Sequence, residues 1–315
     1  MKPLVAYVRR PDWAPHRALV DALRDAMDDL DLVEEADLTD EQRATVTAVV
    51  ADGPSAEQLA SLPRLAFVQS TWAGVERILP VVPDGVAVAR MIDPQLTATM
   101  TEAVLAWTLY LHRDMPRYAA QQDRHDWTPL DPVLAADRRL GLLGLGALGS
   151  DAARALCRQG FDVAGWSRSA KTIDGVECLS GDTGFELLLA RSDIVVNLLP
   201  HTDDTAGLLG QDAFAAMPAD GALVNFGRGE TVDDDALLRA LDDGHLSHAV
   251  LDVFTVEPLP DDHPYWDHPN VTVLPHVSGP TSPSTAAVIA AGDVRRFLLD
   301  GTLPTASLVD RARGY

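Results

Sequence analysis

The chain has 315 residues, 47% hydrophobic and 23% charged, with 47 acidic against 25 basic residues and a formal net charge of −22. That length suits two domains rather than one core. The charge opposes binding to nucleic acid or to anionic membranes, and no run of about 18 uncharged apolar residues marks a membrane span. Two cysteines, Cys157 and Cys178, make neither a disulfide framework nor a metal cluster, which suits a cytoplasmic protein. Lysine occurs only as Lys2 and Lys171. A salt-rich cytoplasm or a GC-rich genome replacing lysine by arginine would each produce such a surface.

In chain order, the N-terminal MKPLVAYVRRPDW carries an apolar run of about five residues, which reads as a first strand (4–8) and not as a signal peptide. Ala18, Leu19, Ala22, Leu23 and Ala26 follow at helical spacing. Short apolar runs at 46–50, 65–69 and 86–89, with the helix-like SAEQLASL between the first two, predict a parallel α/β unit. Thr99 and Glu102 stand in capping-box spacing before AVLAWTLYL, predicting the start of a long helix, and the polar segment 121–137 predicts a loop. From Arg138 the alternation sharpens. Strands are expected at RLGLLGL, FDVAGW, 176–179, DIVVNLLP, ALVNF, HAVLDVF and VTVLP, with helices at GALGSDAARALCRQG, 184–191, 211–217 and 233–242. This is a doubly wound nucleotide fold. A last helix near 285–300 packs back on the first domain. The expected division is therefore 1–94 with 283–315 for one domain and 95–282 for the other.

Gly144-Leu145-Gly146-Ala147-Leu148-Gly149 is a G-x-G-x-x-G turn that follows a strand and opens a helix. Gly144 permits the turn, Gly146 admits a pyrophosphate to the backbone, and Gly149 lets the helix pack on the strand. The helix N-terminus adds amide donors and partial positive charge. An acidic residue is expected at the end of the second strand, to hold the ribose hydroxyls. Ser167-Arg168-Ser169 stands there instead, and a guanidinium with two hydroxyls suits a 2′-phosphate. The expected cofactor is NADP(H), with NAD(H) as the alternative.

Three further strand ends carry charge. ALVNF leads to Gly227-Arg228, HAVLDVF to Glu257, and VTVLP to His276. In open α/β sheets such ends face one crevice. Reduction of a 2-oxo acid needs these residue types. Arg228 can hold the carboxylate and polarise the ketone oxygen, and His276 can protonate that oxygen as hydride reaches carbon. Glu257 can orient the ring and stabilise its cation. His263 and His268 flank an acidic, proline-containing loop without cysteine, so no metal site is expected.

With GLLGLGALGS, GWSRS, DIVVNLLPHT, VNFGRGE, LDVFTVEPLP and LPHVSG in this order, the chain resembles the D-isomer-specific 2-hydroxyacid dehydrogenases, most closely their bacterial glyoxylate/hydroxypyruvate reductase A branch. The resemblance implies two flavodoxin-like domains with a cleft between them and a homodimer built on the cofactor domains. It implies Arg228, Glu257 and His276 as the catalytic set. It places Asp252 on the nicotinamide carboxamide and Leu199, Pro200 and Thr205 beside the ribose, and adds Ala147, Leu148, Phe226, Gly227, Ser278 and Gly279 to the cofactor site. It also implies that Trp72-Ala73-Gly74 binds the substrate carboxylate through backbone amides. Trp72 departs from the family pattern, and either narrows the substrate pocket or simply packs. HVSGP departs too, with Ser278 offering an extra hydrogen bond. A larger D-2-hydroxy acid handled with NAD(H), or a dinucleotide-sensing binding protein, are the competing readings.

Overall fold

The computed structural model describes residues 2–10 and 17–311. Residues 11–16, read above with the N-terminal segment, and 312–315, in the expected second piece of the first domain, lie outside them. The chain divides into two compact units, Met1–Leu96 with Thr281–Tyr315, and Thr97–Pro280.

The first unit is built on a five-stranded parallel sheet of order β2-β1-β3-β4-β5. Its strands are β1 (Leu4–Arg9), β2 (Asp31–Glu34), β3 (Ala48–Asp52), β4 (Phe67–Ser70) and β5 (Ala87–Ala89). The inner strands are buried on both faces, so β1 and β3 read as apolar runs without alternation, while β4 buries Gln69 and Ser70 as well. The strand β2 escapes sequence reading because it is a four-residue edge, DLVE, paired with β1 alone. Helix α1 (Arg17–Ala26) turns Leu19 and Leu23 onto the sheet. Two short helices, α2 (Asp40–Arg43) and α3 (Ala56–Ala60), start at complete capping boxes, Thr39 with Gln42 and Ser55 with Gln58. The late helix α10 (Pro283–Asp300) returns to this unit and buries a small-residue stripe, Ala286, Ala287, Ala290, Ala291 and Val294, beside α1. The chain then bonds back to β5, with Val309 N donating to Val88 O.

The second unit carries a seven-stranded parallel sheet of order β12-β11-β10-β9-β6-β7-β8. The strands are β6 (Arg139–Leu143), β7 (Asp162–Trp166), β8 (Glu177–Leu179), β9 (Ile194–Asn197), β10 (Gly221–Asn225), β11 (Leu246–Leu251) and β12 (Val271–Val273). The order reverses between β6 and β9, which marks the crevice where doubly wound sheets take ligands. The crossovers run through α6 (Ala147–Arg158), α7 (Gly181–Arg191), α8 (Gln211–Ala216) and α9 (Asp234–Asp242).

Two expectations need correction. The long helix α4 spans Pro94–His112, so Thr99 and Glu102 lie inside it and do not cap it. The true start is Asp93, whose Oδ1 accepts from Gln95 N at 2.8 Å, with Pro94 at the first helical position, where its missing N–H costs nothing. The segment 121–137 is not all loop. Helix α5 (Met115–Asp123) runs into it, and Ala135–Asp137 forms a 3₁₀ turn.

His248, in β11, is 5% exposed, and its Nε2 lies 2.9 Å from Thr272 Oγ1. Burial, aided by the charge of His268, pushes it down to about 4. The unfolded chain titrates this group near 6.5 and so binds more protons between these values, and stability is lost as pH falls from about 6.5 towards 4. Replacing His248→Gln should remove up to about 3 kcal/mol of that acid loss. Urea unfolding of both proteins between pH 7 and 4 checks this, and parallel curves would contradict it.

Candidate active site

The phosphate turn follows β6 directly. Gly144 has φ +98°, and a side chain there would also press on Leu198 O, 3.0 Å from its Cβ. A Cβ at Gly149 would sit 1.8 Å from Gly144 O, so only glycine lets α6 approach its own strand. Gly146 caps α6, and apart from its chain neighbours a Cβ there meets nothing within 4 Å among the described residues. Protein packing therefore gives no reason for glycine at this position, whereas a phosphate drawn to the helix N-terminus does. Ala147 is exposed and Leu148 half-buried against the core. This turn fits a dinucleotide.

His276 follows β12 and holds φ +53°, a left-handed backbone that residues other than glycine adopt only where their surroundings enforce it. Asp252, 2% exposed at the end of β11, supplies the enforcement. Its Oδ1 accepts from Val277 N at 2.8 Å and its Oδ2 from Ser278 N at 3.0 Å. Both carboxylate oxygens thus clamp the two residues after the histidine. The turned ring places Nδ1 3.0 Å from Glu257 Oε2, while Glu257 Oε1 accepts from Phe254 N at 3.0 Å. An ionised carboxylate only accepts, so Nδ1 carries the proton and Nε2 is left for chemistry. The ring is half exposed. Beside it, Ser278 is buried and its Oγ meets no partner among the described residues, and Gly279 continues the turn.

Arg228 follows β10 in extended conformation, its Nη1 donating to Gly227 O at 2.7 Å. Its own carbonyl accepts from Thr231 Oγ1 at 2.6 Å and Asn225 Nδ2 at 3.2 Å. Asn197 Nδ2, in turn, donates to Asn225 Oδ1 and Thr231 Oγ1 at 2.9 and 2.7 Å. Asn197 Oδ1 takes the N–H of Leu199. This buried network joins the ends of β9 and β10, whose register pairs Asn197 with Asn225. The VN ending shared by DIVVN and ALVN is the sequence signal that could have found it. Phe226 and Leu199 are core residues, and Thr205 Oγ1 closes its own turn onto Pro200 O at 2.7 Å.

Glycines let these loops touch. A Cβ at Gly227 would lie 2.6 Å from Leu199 O, and one at Gly229 2.0 Å from Phe254 C. The loops bearing Gly144, Leu199, Arg228, Glu257 and His276 are therefore packed in one chain of contacts along the carboxyl ends of the strands. At the end of β7, Ser167 Oγ donates to Ser169 O at 2.7 Å, and Arg168 Nη1 lies 3.3 Å from Asp204 Oδ2.

In the first unit, Trp72 is committed to packing. Its Nε1 donates to Asp52 Oδ1 at 2.7 Å, and its ring covers Gly53, where a Cβ would meet it at 2.6 Å. Asp52 also accepts from Thr71 Oγ1 at 3.0 Å and Tyr7 OH at 3.1 Å. Burial, then the Asp52 charge, hold the Tyr7 hydroxyl above its usual range. Among the described residues, the backbone amides of Ala73 and Gly74 donate to no protein group, as a carboxylate-binding turn requires. Arg90, after β5, is lowered by burial.

A doubly wound sheet with a fitting glycine turn and an acid–base pair at the adjoining strand ends defines a dinucleotide-dependent oxidoreductase. The family model for the NAD-binding domain of the D-isomer specific 2-hydroxyacid dehydrogenases matches residues 105–278, and the chain belongs to that family. It is 38% identical to the glyoxylate/hydroxypyruvate reductase A of Serratia proteamaculans over 269 residues, covering 83% of this chain and 85% of that one. Among solved structures it matches a D-isomer specific 2-hydroxyacid dehydrogenase from Xanthobacter autotrophicus in complex with NADPH, with TM-score 0.92, 35% identity and full coverage of both chains. It also matches an NADPH-dependent glyoxylate/hydroxypyruvate reductase from Sinorhizobium meliloti in complex with NADP and sulfate, with TM-score 0.90, 34% identity and full coverage of both chains.

The two glycines should part company on substitution. Gly146→Ala should weaken dinucleotide binding with little change in Tm. Gly149→Ala should lower Tm by several degrees, since its Cβ overlaps backbone. Thermal melts beside binding titrations check both outcomes.

Proposed function

We propose that this protein reduces a small 2-oxo acid, glyoxylate or hydroxypyruvate, to the D-2-hydroxy acid, preferring NADP(H) over NAD(H). The observation that carries this reading is the Glu257–His276 pair, 3.0 Å apart, on a turn clamped by Asp252 beside the dinucleotide turn. The NADPH complex of one solved relative and the NADP complex of the other support the cofactor choice. The Gly144–Gly149 turn, Leu199, Pro200, Gly227 and the Ser167–Ser169 segment hold the cofactor, which when bound supplies the hydride.

His276 gives the proton on Nε2 to the ketone oxygen as the carbonyl carbon takes hydride, so the C=O becomes a C–OH and the ring ends neutral. Glu257 keeps the ring oriented and balances its cationic form. Arg228 holds the substrate carboxylate by charge. Asp252 serves first as the brace of the His276 turn, with contact to the carboxamide as its second role.

The test follows NADPH and NADH oxidation with glyoxylate, hydroxypyruvate, pyruvate and a bulkier 2-oxo acid. His276→Ala should lower kcat by about 10²–10⁴-fold while dinucleotide still binds. Turnover confined to the bulky acid with NADH would favour a larger-substrate dehydrogenase. Binding without turnover of any acid would favour a sensor.

The protein belongs in the cytoplasm on this reading, where reduced dinucleotide and the free thiols Cys157 and Cys178 persist. A homodimer would cover large apolar side chains that the second unit exposes. Trp127 is 98% and Leu134 67% exposed, with Met115 and Tyr118 of α5 also exposed. Combining Trp127→Glu with Leu134→Glu should halve the mass measured by light scattering. A dimer unchanged by both substitutions would contradict this assignment.

A further inference from the structure

The end of β7 lacks the acidic residue that holds ribose hydroxyls in NAD-binding sheets, since Ser167-Arg168-Ser169 occupies it. A carboxylate reaches that place from elsewhere. Asp204, 36 residues on in the loop after β9, sets its Oδ2 3.3 Å from Arg168 Nη1. We propose that Asp204 is a specificity-determining residue that sets how strongly NADP is preferred over NAD, a proposal that rests on the cofactor reading above.

The geometry on both sides is braced. Thr205 is buried, its Oγ1 donates to Pro200 O at 2.7 Å, and it accepts from Thr202 N at 2.8 Å. Ala206 N donates to Thr202 O at 3.0 Å and Gly207 N to Glu230 O at 2.8 Å. The turn that carries Asp204 is therefore fixed from within and from the β10 loop. On the other side, Ser167 N donates to Leu179 O at 3.2 Å and its hydroxyl to Ser169 O at 2.7 Å, fixing the backbone at Arg168.

The pair itself is exposed, with side chains 51% and 75% accessible for Arg168 and Asp204. An ion pair in that setting is weak and easily exchanged. A 2′-phosphate carries more charge than a carboxylate and matches the guanidinium fork bidentately, so it displaces Asp204 from Arg168. The displaced carboxylate stays close by and opposes the phosphate. With an unphosphorylated ribose the roles change. Asp204 is then the acceptor for a 2′-hydroxyl, and Arg168 holds the carboxylate in place. One pair of side chains thus serves both cofactors, with Asp204 favouring NAD and Arg168 favouring NADP.

The experiment titrates the whole protein with NADP, NAD, adenosine 2′,5′-bisphosphate and 5′-AMP by calorimetry, in the wild type, Asp204→Asn and Arg168→Ala, with melts to confirm folding. Asp204→Asn should tighten NADP and the bisphosphate by about two- to fivefold and weaken NAD. Arg168→Ala should abolish the preference for the 2′-phosphorylated ligands. Unchanged or weakened NADP binding in Asp204→Asn overturns the proposal, while a lost preference in Arg168→Ala keeps the cofactor reading intact. An Arg168→Ala protein that still prefers the 2′-phosphorylated ligands overturns both.

Discussion

The site depends on backbone meeting backbone along the carboxyl ends of five parallel strands. The loops after β6, β9, β10, β11 and β12 touch at Gly144 against Leu198, Gly227 against Leu199, and Gly229 against Phe254. The clamp of Asp252 on Val277 and Ser278 closes the chain. A methyl group at either of the last two glycines would force carbon to within 2.6 Å of a neighbour's main chain. Functional side chains sit between these contacts, so their positions are inherited from the sheet. Arg228 is flanked by Gly227 and Gly229, and His276 directly precedes the clamped residues. The strained φ of His276 is then a consequence of packing and hydrogen bonding that over-determine the turn.

Charge has to be organised locally in a chain of net charge −22 whose ligands are anions. The second unit does this with fixed donors: the N-terminus of α6, the Arg228 guanidinium, and Arg168. Two carboxylates of these loops are already committed. Asp252 accepts two backbone amides, and Glu257 bonds Phe254 N and His276. A committed carboxylate repels an arriving phosphate or carboxylate less than a free one at the same distance, because its field is already partly compensated.

Much of this was legible in the residues. Buried parallel strands announce themselves as apolar runs, and ALVNF and HAVLDVF fall where β10 and β11 lie. The glycine turn could be read position by position, because each glycine answers a different steric demand. What escaped reading has a physical pattern. The helix start at Asp93 was hidden because Thr99 and Glu102 have capping-box spacing inside a helix, and spacing alone does not tell an end from a middle. The edge strand β2 is too short and acidic for its period to show. The Asn197–Asn225–Thr231 network and the Asp204–Arg168 pair join residues 28 to 36 positions apart. Only the fold brings them together, and single-sequence periodicity carries no such information. Trp72 could be placed on its turn, but its partner Asp52 ends a different strand.

Asp252 and Glu257 hold His276 with Nδ1 towards the carboxylate and Nε2 free to deliver a proton. Nitrogen-15 NMR of histidine-labelled protein reports which ring nitrogen carries hydrogen in the neutral ring. His276 should show the Nδ1–H form, and Glu257→Gln should lose it. A ring in the Nε2–H form, or one averaging between tautomers in the wild type, would contradict it.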